Sequence, residues 1–279
     1  MHYCIICKKK QNKVIFDDNG VNILRCQNCG HVYSQYDREQ GYDGYFQSNI
    51  NDQDNFWWDK AHERMYNDFC ERYINGKSGY LLDVGCGLGF FVKKISDYKN
   101  WESYGYEISP SAIAFARDEL RLNNVFNGRV EESNFSKKYF DIITLWDVLE
   151  HIPDPHQLLK YLKTILKEDG ILFIHTPNIK VQLPKARSKK IFLGKNTPHL
   201  LEARDHLNIY SPQTIKILLE QDGFSCQNFI HLHPIQSMAG NRSKLLKTIK
   251  NLWFYLAVFI FYISFQKINL NNLFVEVKK

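Results

Sequence analysis

From Tyr80 to about Pro234 the chain alternates short apolar runs with amphipathic stretches. Tyr80–Val84, Ser103–Glu107, Asp141–Trp146 and Ile171–Thr176 read as strands. Helical stretches lie between them over Leu88–Asp97, from Ser109-Pro110 to about Leu120, and over His156–Lys167. Ser109 is placed to cap its helix, and Pro110 suits the first helical position, where no N–H is needed. Asp169-Gly170 ends the third helix. Strands alternating with helices predict an α/β fold on a parallel, doubly wound sheet. Pro177–His206 interrupts the alternation and reads as a long basic loop. Ser211-Pro212 opens another capped helix to about Gln221, stopped by Asp222-Gly223. Phe224–His231 and Asn272–Lys278 read as strands, with an apolar helix over Leu252–Phe265 between them.

This pattern divides the chain into a small module at 1–35, a linker with packing helices at 36–75, and a main domain at 76–279. The 178–205 loop and the 243–266 apolar helix are insertions in that domain. Its 279 residues suffice for one α/β core with an appendage.

Within the first strand–helix junction the sequence is LLDVGCGLGFF, Leu81–Phe91. Gly85, Gly87 and Gly89 remove side chains where a backbone must turn tightly and approach a ligand. A glycine loop alone is shared by several nucleotide-binding sheets. Two acids narrow it: Asp83 just before the glycines, and Glu107 closing the next strand, where a carboxylate can accept from both hydroxyls of a ribose. No lysine followed by Ser or Thr succeeds the loop, so it is not a nucleoside-triphosphate P-loop.

The D-x-G-x-G-x-G core with an acid ending the second strand resembles the S-adenosylmethionine (SAM) fingerprint of class I methyltransferases. FDIITLWDVLEHIPDP, Phe140–Pro155, is similar to the fourth strand and turn of small-molecule members, and HLNIYSP, His206–Pro212, to a later segment. The resemblance implies a Rossmann-like, seven-stranded, mostly parallel sheet with helices on both faces. It implies SAM contacts at Asp83, Gly85, Cys86, Gly87, Gly89, Glu107, Ile108 and Trp146. Near the adenine, the family's glycine-then-acid signature reads Gly128-Arg129-Val130-Glu131 here, so the acid is displaced. Backbone at Arg129 and Val130 is the expected substitute.

Cysteine spacing adds a metal. Cys4-Ile5-Ile6-Cys7 and Cys26-Gln27-Asn28-Cys29 are two CxxC knuckles eighteen residues apart, a spacing that brings four thiolates within reach of one Zn²⁺. A closed Cys₄ shell has no open position for water, so the expected zinc is structural. The chain starts without a signal peptide, which suggests a cytoplasmic protein with reduced thiols. The module, with RCxxCGHVYS and Tyr42–Phe46, also resembles the N-terminus of bacterial methyltransferases of sugar, surface-polysaccharide and natural-product pathways.

Asp147, Glu150 and His151 follow a buried strand end and, spaced as i, i+3 and i+4, share a face if the turn is helical. Three readings stand. His151 is a general base for a substrate hydroxyl; or the three bind a divalent metal with His206, as in the similar Glu-x-x-Glu-His of ubiquinone-pathway and small-RNA methyltransferases; or they shape the pocket.

Net charge is +6, split between −4 over residues 1–178 and +10 over 179–279. A basic last third suits an anionic partner or a solvated surface. The fourteen-residue apolar helix falls short of the roughly 20 residues needed to span a bilayer. With Lys244, Lys247 and Lys250 before it, it fits peripheral contact through 244–266 at the inner membrane face, or a core or lid helix. Nucleic acid is disfavoured, because the cysteine module is neither strongly basic nor aromatic-striped. The expectation is SAM-dependent O-methylation of a sugar-containing small molecule. RNA methylation, lipid or quinone O-methylation at a membrane, and a non-catalytic SAM-binding scaffold are the alternatives.

Overall fold

A computed structural model describes residues 3–36, 59–194, 200–236 and 244–279. Tyr42–Phe46 and most of the 36–75 linker lie outside the described residues. The chain begins with an antiparallel sheet of β1 (Asn12–Asp18), β2 (Val21–Cys26) and β3 (Val32–Ser34). Asn19 and Gly20 join β1 to β2 with both φ values positive, at 52° and 86°, the two-residue turn that matches strand twist.

Helix α1 (Glu63–Tyr73) precedes the large sheet and buries Met65, Tyr66, Phe69, Cys70 and Tyr73 on one face. Then follow β4 (Gly79–Val84), α2 (Phe90–Ser96), β5 (Trp101–Glu107), α3 (Pro110–Asp118) and β6 (Val125–Asn127). Ser109 caps α3 by accepting from the Ala112 amide, with Pro110 first in the helix as expected. The chain then crosses back to β7 (Phe140–Trp146), α4 (His156–Ile165) and β8 (Leu166–Thr176).

Helix α4 ends at Ile165, two residues before the expected Lys167, and passes directly into β8. Asp169-Gly170 does not separate helix from strand. Pairing with β7 jumps from Leu166 opposite Phe140 to Ile171 opposite Ile142, so Lys167–Gly170 bulges from the ladder.

The remaining elements are α5 (Ile179–Leu193), β9 (Asn208–Ile209), α6 (Pro212–Gln221), β10 (Cys226–Ile230), α7 (Lys244–Ile263) and β11 (Leu273–Lys278). The large sheet has seven strands in the order β10-β11-β8-β7-β4-β5-β6, parallel from β8 through β6, with β11 antiparallel to both its neighbours. This is the Rossmann-like sheet expected. The chain winds outward from β4 to β6 and returns to β7 on β4's other side. That reversal opens a crevice beyond the carboxyl ends of β4 and β7, where open α/β sheets bind ligands.

Helices cover both faces. One core joins α4 and α6, through Leu158, Leu159, Leu162, Ile215 and Leu218, to the sheet. The other joins α1 and α2 to Leu81, Trp146, Phe173 and Phe274. Phe69 is fully buried there among Tyr73, Phe91, Trp146 and Phe173. Truncating it to Ala would cost about 3–5 kcal/mol.

Two boundaries differ from expectation. The 178–205 loop is helical over Ile179–Leu193, despite Pro184 inside the helix. The Asn178 side chain caps it by accepting from the Lys180 amide, and Ile179, Leu183 and Ala186 bury against Phe16, Val21, Ile23 and Val32. That packing offsets the backbone bond Pro184 cannot make. The sheet of 1–35 is thereby extended from the main domain: β9 is its fourth strand and α5 completes its core. Helix α7 starts eight residues before the expected Leu252 and ends at Ile263. Among the described residues, no helix is long and apolar enough to cross a membrane.

Candidate active site and cysteine cluster

The glycine loop follows β4 at the crevice. Gly85, Gly87 and Gly89 have φ values of 71°, 52° and 85°, a region that disfavours any side chain. A Cβ on Gly85 would lie 2.5 Å from Val148 Cγ2, and one on Gly89 3.0 Å from Ala116 Cβ. Glu107 braces the loop: its Oε2 accepts from the Gly87 amide at 3.0 Å and its Oε1 from the Ser109 amide at 2.9 Å. Burial raises its pKa, while these amides work to lower it. Asp83 is buried beneath the loop and accepts from Thr144 Oγ1 at 2.7 Å. Burial pushes its carboxyl up to about 8 despite that bond. Cys86 turns its sulfur into a small apolar cluster with Val92, Ile113 and Val125. Gly105 makes room for it, since a Cβ there would lie 2.7 Å from Sγ.

Arg129 and Val130 come to the same edge. Gly128 N–H donates to the Glu107 carbonyl, and Asn127 Nδ2 donates to the carbonyls of Glu107 and Ile108, each at 3.0 Å. Arg129 then leads into a 3₁₀ turn, Val130–Glu132. Sequence reasoning missed Asn127, whose clamp has no motif. Trp146, expected at the cofactor, packs in the aromatic core with Tyr66, Phe69, Phe91 and Phe173. Its buried indole N–H has no hydrogen-bond partner among the described residues.

The Asp147, Glu150 and His151 turn departs from a shared helical face. Asp147 takes a left-handed φ of 51°, and only Leu149–His151 forms a 3₁₀ turn. The Asp147 carboxylate faces His175, Oδ1 lying 3.0 Å from Nδ1. Asn272 Nδ2 meets His175 Nε2 at 3.2 Å, which leaves the ring proton on Nδ1, toward Asp147. Burial opposes its charge, but His175, aided by His62 and His206, holds the Asp147 carboxyl at about 2. Glu150 is driven strongly the other way by burial and by Asp147's charge. The two neighbouring carboxyls are thus shifted in opposite directions, Asp147 down and Glu150 up. Glu150 Oε2 accepts from Thr176 Oγ1 at 2.9 Å.

His151 Nδ1 meets the Asp205 carbonyl at 3.0 Å, so Nδ1 carries the proton and Nε2 the lone pair. Its ring packs edge-on against His206, centroids 4.9 Å apart. Burial, then His206, lowers the His151 pKa to about 4. Ligand atoms of Glu150, His151 and His206 lie within 4.8 Å of one another, a group that could hold a metal ion. Asp147 is not in it.

The four expected metal ligands also converge. Cys4 and Cys29 sulfurs are 3.4 Å apart, as are those of Cys7 and Cys26, and all four lie within 4.8 Å. A tetrahedral Zn²⁺ with Zn–S bonds of about 2.3 Å sets its sulfurs about 3.8 Å apart, so the cluster is compatible with zinc. Burial drives the Cys4 thiol up, and that of Cys29 up to about 11. Four thiolates need a cation among them. The knuckle docks on the main domain, Ile5 O meeting His156 Nε2 at 3.3 Å and Ile6 O accepting from Gln221 Nε2 at 2.9 Å. His31 then reaches Asn208 Oδ1 at 3.0 Å, and Asn208 Nδ2 donates to the Ile152 carbonyl at 2.8 Å. The cysteine module thus touches the backbone beside His151.

The profile of a methyltransferase-domain family matches residues 57–228. The chain belongs to that family. The methyltransferase is 28% identical over 201 residues to a ubiquinone biosynthesis O-methyltransferase of Glaesserella parasuis, covering 64% of this chain and 84% of that protein. A namesake from Coxiella burnetii is 28% identical over 177 residues, 61% of this chain and 74% of that one. Among solved structures, a Pyrococcus horikoshii protein aligns at TM-score 0.53 and 20% identity over 68% of this methyltransferase and 95% of that chain. The SAM complex of Haemonchus contortus phosphoethanolamine N-methyltransferase 2 aligns at 0.55 and 14% identity, over 85% and 59%. These likenesses support the fold, and with the family they make the protein a SAM-dependent methyltransferase.

Proposed function

We propose that this methyltransferase O-methylates a ring hydroxyl on a quinone-pathway acceptor. The observation that carries the reading is the gathering of Glu150, His151 and His206 at the end of β7, beside Asp147. The relatives named for ubiquinone biosynthesis support it, and they fit this acceptor better than the sugar expected at the outset.

The crevice suits SAM, because Gly85, Gly87 and Gly89 hold left-handed φ values that leave the loop backbone bare beside Glu107, which accepts from the Gly87 amide. Asp83, the Gly85–Gly89 backbone, Glu107, Ile108 and the backbone at Arg129-Val130 would hold it. When bound, SAM supplies a methyl group already activated for transfer. The protein's own task is to place the hydroxyl and manage its proton. His151 offers its Nε2 lone pair to that hydroxyl, oriented by the Asp205 carbonyl. A pKa near 4 makes the ring a weak proton acceptor alone, but keeps it neutral as a ligand must be. A divalent cation on Glu150, His151 and His206 would acidify the hydroxyl, and the clustering of their ligand atoms favours this second reading. Cys4, Cys7, Cys26 and Cys29 would hold a structural Zn²⁺ that closes the first knuckles.

The test is methyl transfer to catechols, nucleotide sugars and RNA in parallel. Catechol methylation is expected, with His151→Ala lowering kcat about 10²–10⁴-fold while SAM affinity holds. Methylation of sugars or RNA alone would overturn the acceptor, and near-wild-type turnover by the variant would overturn the role of His151.

A further inference from the structure

Helix α7 is apolar on its outward side as well as on the side it buries. Phe254, Ala257 and Phe261 are buried, Phe254 against His233 and Phe261 against His231. Outward, Ile249, Leu252, Trp253, Leu256, Phe259 and Ile263 form a stripe at helical spacing, each about half exposed or more. Phe265 beyond the helix is 86% exposed. At the end of α5, Phe192 is 83% exposed between exposed Ile191 and Leu193. A soluble monomer rarely leaves so much contiguous apolar surface in water.

Charge says what covers it. Residues 179–201 carry six Lys/Arg and 223–275 carry five, with no Asp or Glu in either stretch. These are the segments that contain α5 and α7. Lys185 on α5 is near enough to Lys250 on α7 for its charge, after burial, to lower the Lys250 pKa. Lys189 acts likewise on Lys185. Lys190 pairs with Asp17, yet within these two stretches there are cations and no acids; such an excess beside Trp, Phe and Leu on an exposed helix face matches the interface of a bilayer bearing anionic lipid.

We infer that α7 and the end of α5 seat this enzyme on an anionic phospholipid surface, with α7 in the plane of the headgroups. The seat adjoins the crevice. After α7, the carbonyls of Asn269 and Asn271 accept from Asn178 Nδ2 at 3.1 and 3.0 Å, and Asn272 reaches His175, the partner of Asp147. An acceptor lodged in the bilayer would therefore enter beside the reacting groups. This last consequence rests on the quinone-type acceptor; the seat itself does not.

Flotation of the full-length chain on phosphatidylcholine vesicles, with and without phosphatidylglycerol, tests the seat. Binding is expected with phosphatidylglycerol and should weaken in high salt. Lys185→Gln and Lys267→Gln should each weaken it about fivefold. Trp253→Glu with Phe259→Glu should abolish it without lowering the thermal midpoint, since both side chains are at least half exposed. That variant should still methylate a tail-free catechol in water but lose a vesicle-embedded acceptor. No flotation by the wild type would overturn the seat. So would equal flotation by the double variant, or a stable dimer that the double variant splits, which would make a second copy the occupant. Failure of the wild type on the soluble catechol would count against the acceptor alone, because flotation is read without it.

Discussion

The two halves of the crevice are built differently. On the cofactor side, the braces of the loop itself are close in sequence: Glu107 holds the Gly87 amide twenty residues before it, and Asn127 holds the Glu107 carbonyl twenty residues before it, although Asp83 beneath the loop leans on Thr144 across 61 positions. On the acceptor side they are remote. His151 leans on Asp205 across 54 positions, Asn178 on Asn269 across 91, and His175 on Asn272 across 97. A local turn keeps its shape whatever is inserted elsewhere. A side assembled from distant segments changes whenever one of them does, so the fold can retain SAM while its acceptor varies.

The cysteine cluster should separate the halves most strongly. It supports β9 and, through His31 and Asn208, the backbone beside His151, and among the described residues makes no comparable hydrogen bond to the glycine loop. Removing metal with a chelator, or making Cys4→Ser, should lower the thermal midpoint by roughly 10 °C. Methyl transfer should be lost while the folded fraction still binds SAM. If calorimetry shows SAM affinity and transfer falling together, the halves are one unit and the comparison fails.

Glu107→Gln attacks from the other side. An amide can accept only through its oxygen, so it cannot satisfy both Gly87 and Ser109. SAM affinity should drop about 10–100-fold, the worth of a charged hydrogen bond. Transfer at saturating SAM should persist, and a fall in kcat equal to the loss of affinity would show that Glu107 also serves the acceptor side.

This division explains what could be read from sequence. Gly85, Gly87, Gly89, Glu107 and the Ser109-Pro110 cap are fixed by short-range backbone demands and leave a recognisable spacing. The CxxC pairs were legible because metal coordination restricts spacing. Helix α5 was not, since its reason to form is the apolar face of a sheet some 160 residues earlier, and its own Pro184 and lysines argue for a loop. The geometry of Asp147 was hidden too. Its i, i+3, i+4 spacing suggests one face, but a left-handed φ and the pull of His175, 28 residues on, take it away from His151. The packing of Trp146 was hidden for the same reason: motif position names a strand end, whereas the neighbours that surround its ring come from distant elements.

Acid should distinguish the halves by the smallest effect, and in opposite directions. His231, under α7, has its folded pKa lowered to about 4 by burial, against 6.5 when unfolded. A depressed histidine stabilises above the unfolded value, and its contribution is lost as pH falls from 6.5 toward 4. Asp83, under the glycine loop, is raised by burial to about 8 from 3.8. A raised acid contributes fully below 3.8 and loses that contribution as pH rises toward 8. Acidification therefore loosens the packing of α7 on His231 while it firms the buried floor of the cofactor side. The loss at His231 should amount to about 1–2 kcal/mol, allowing for its partial exposure. Hydrogen exchange, corrected for intrinsic rates, should show the amides of α7 opening more readily at pH 5 than at pH 7, and those of β4 less. His231→Phe should remove the acid sensitivity of α7 and leave β4 as it was. Equal acid loosening of α7 in that variant would assign the effect to some other group.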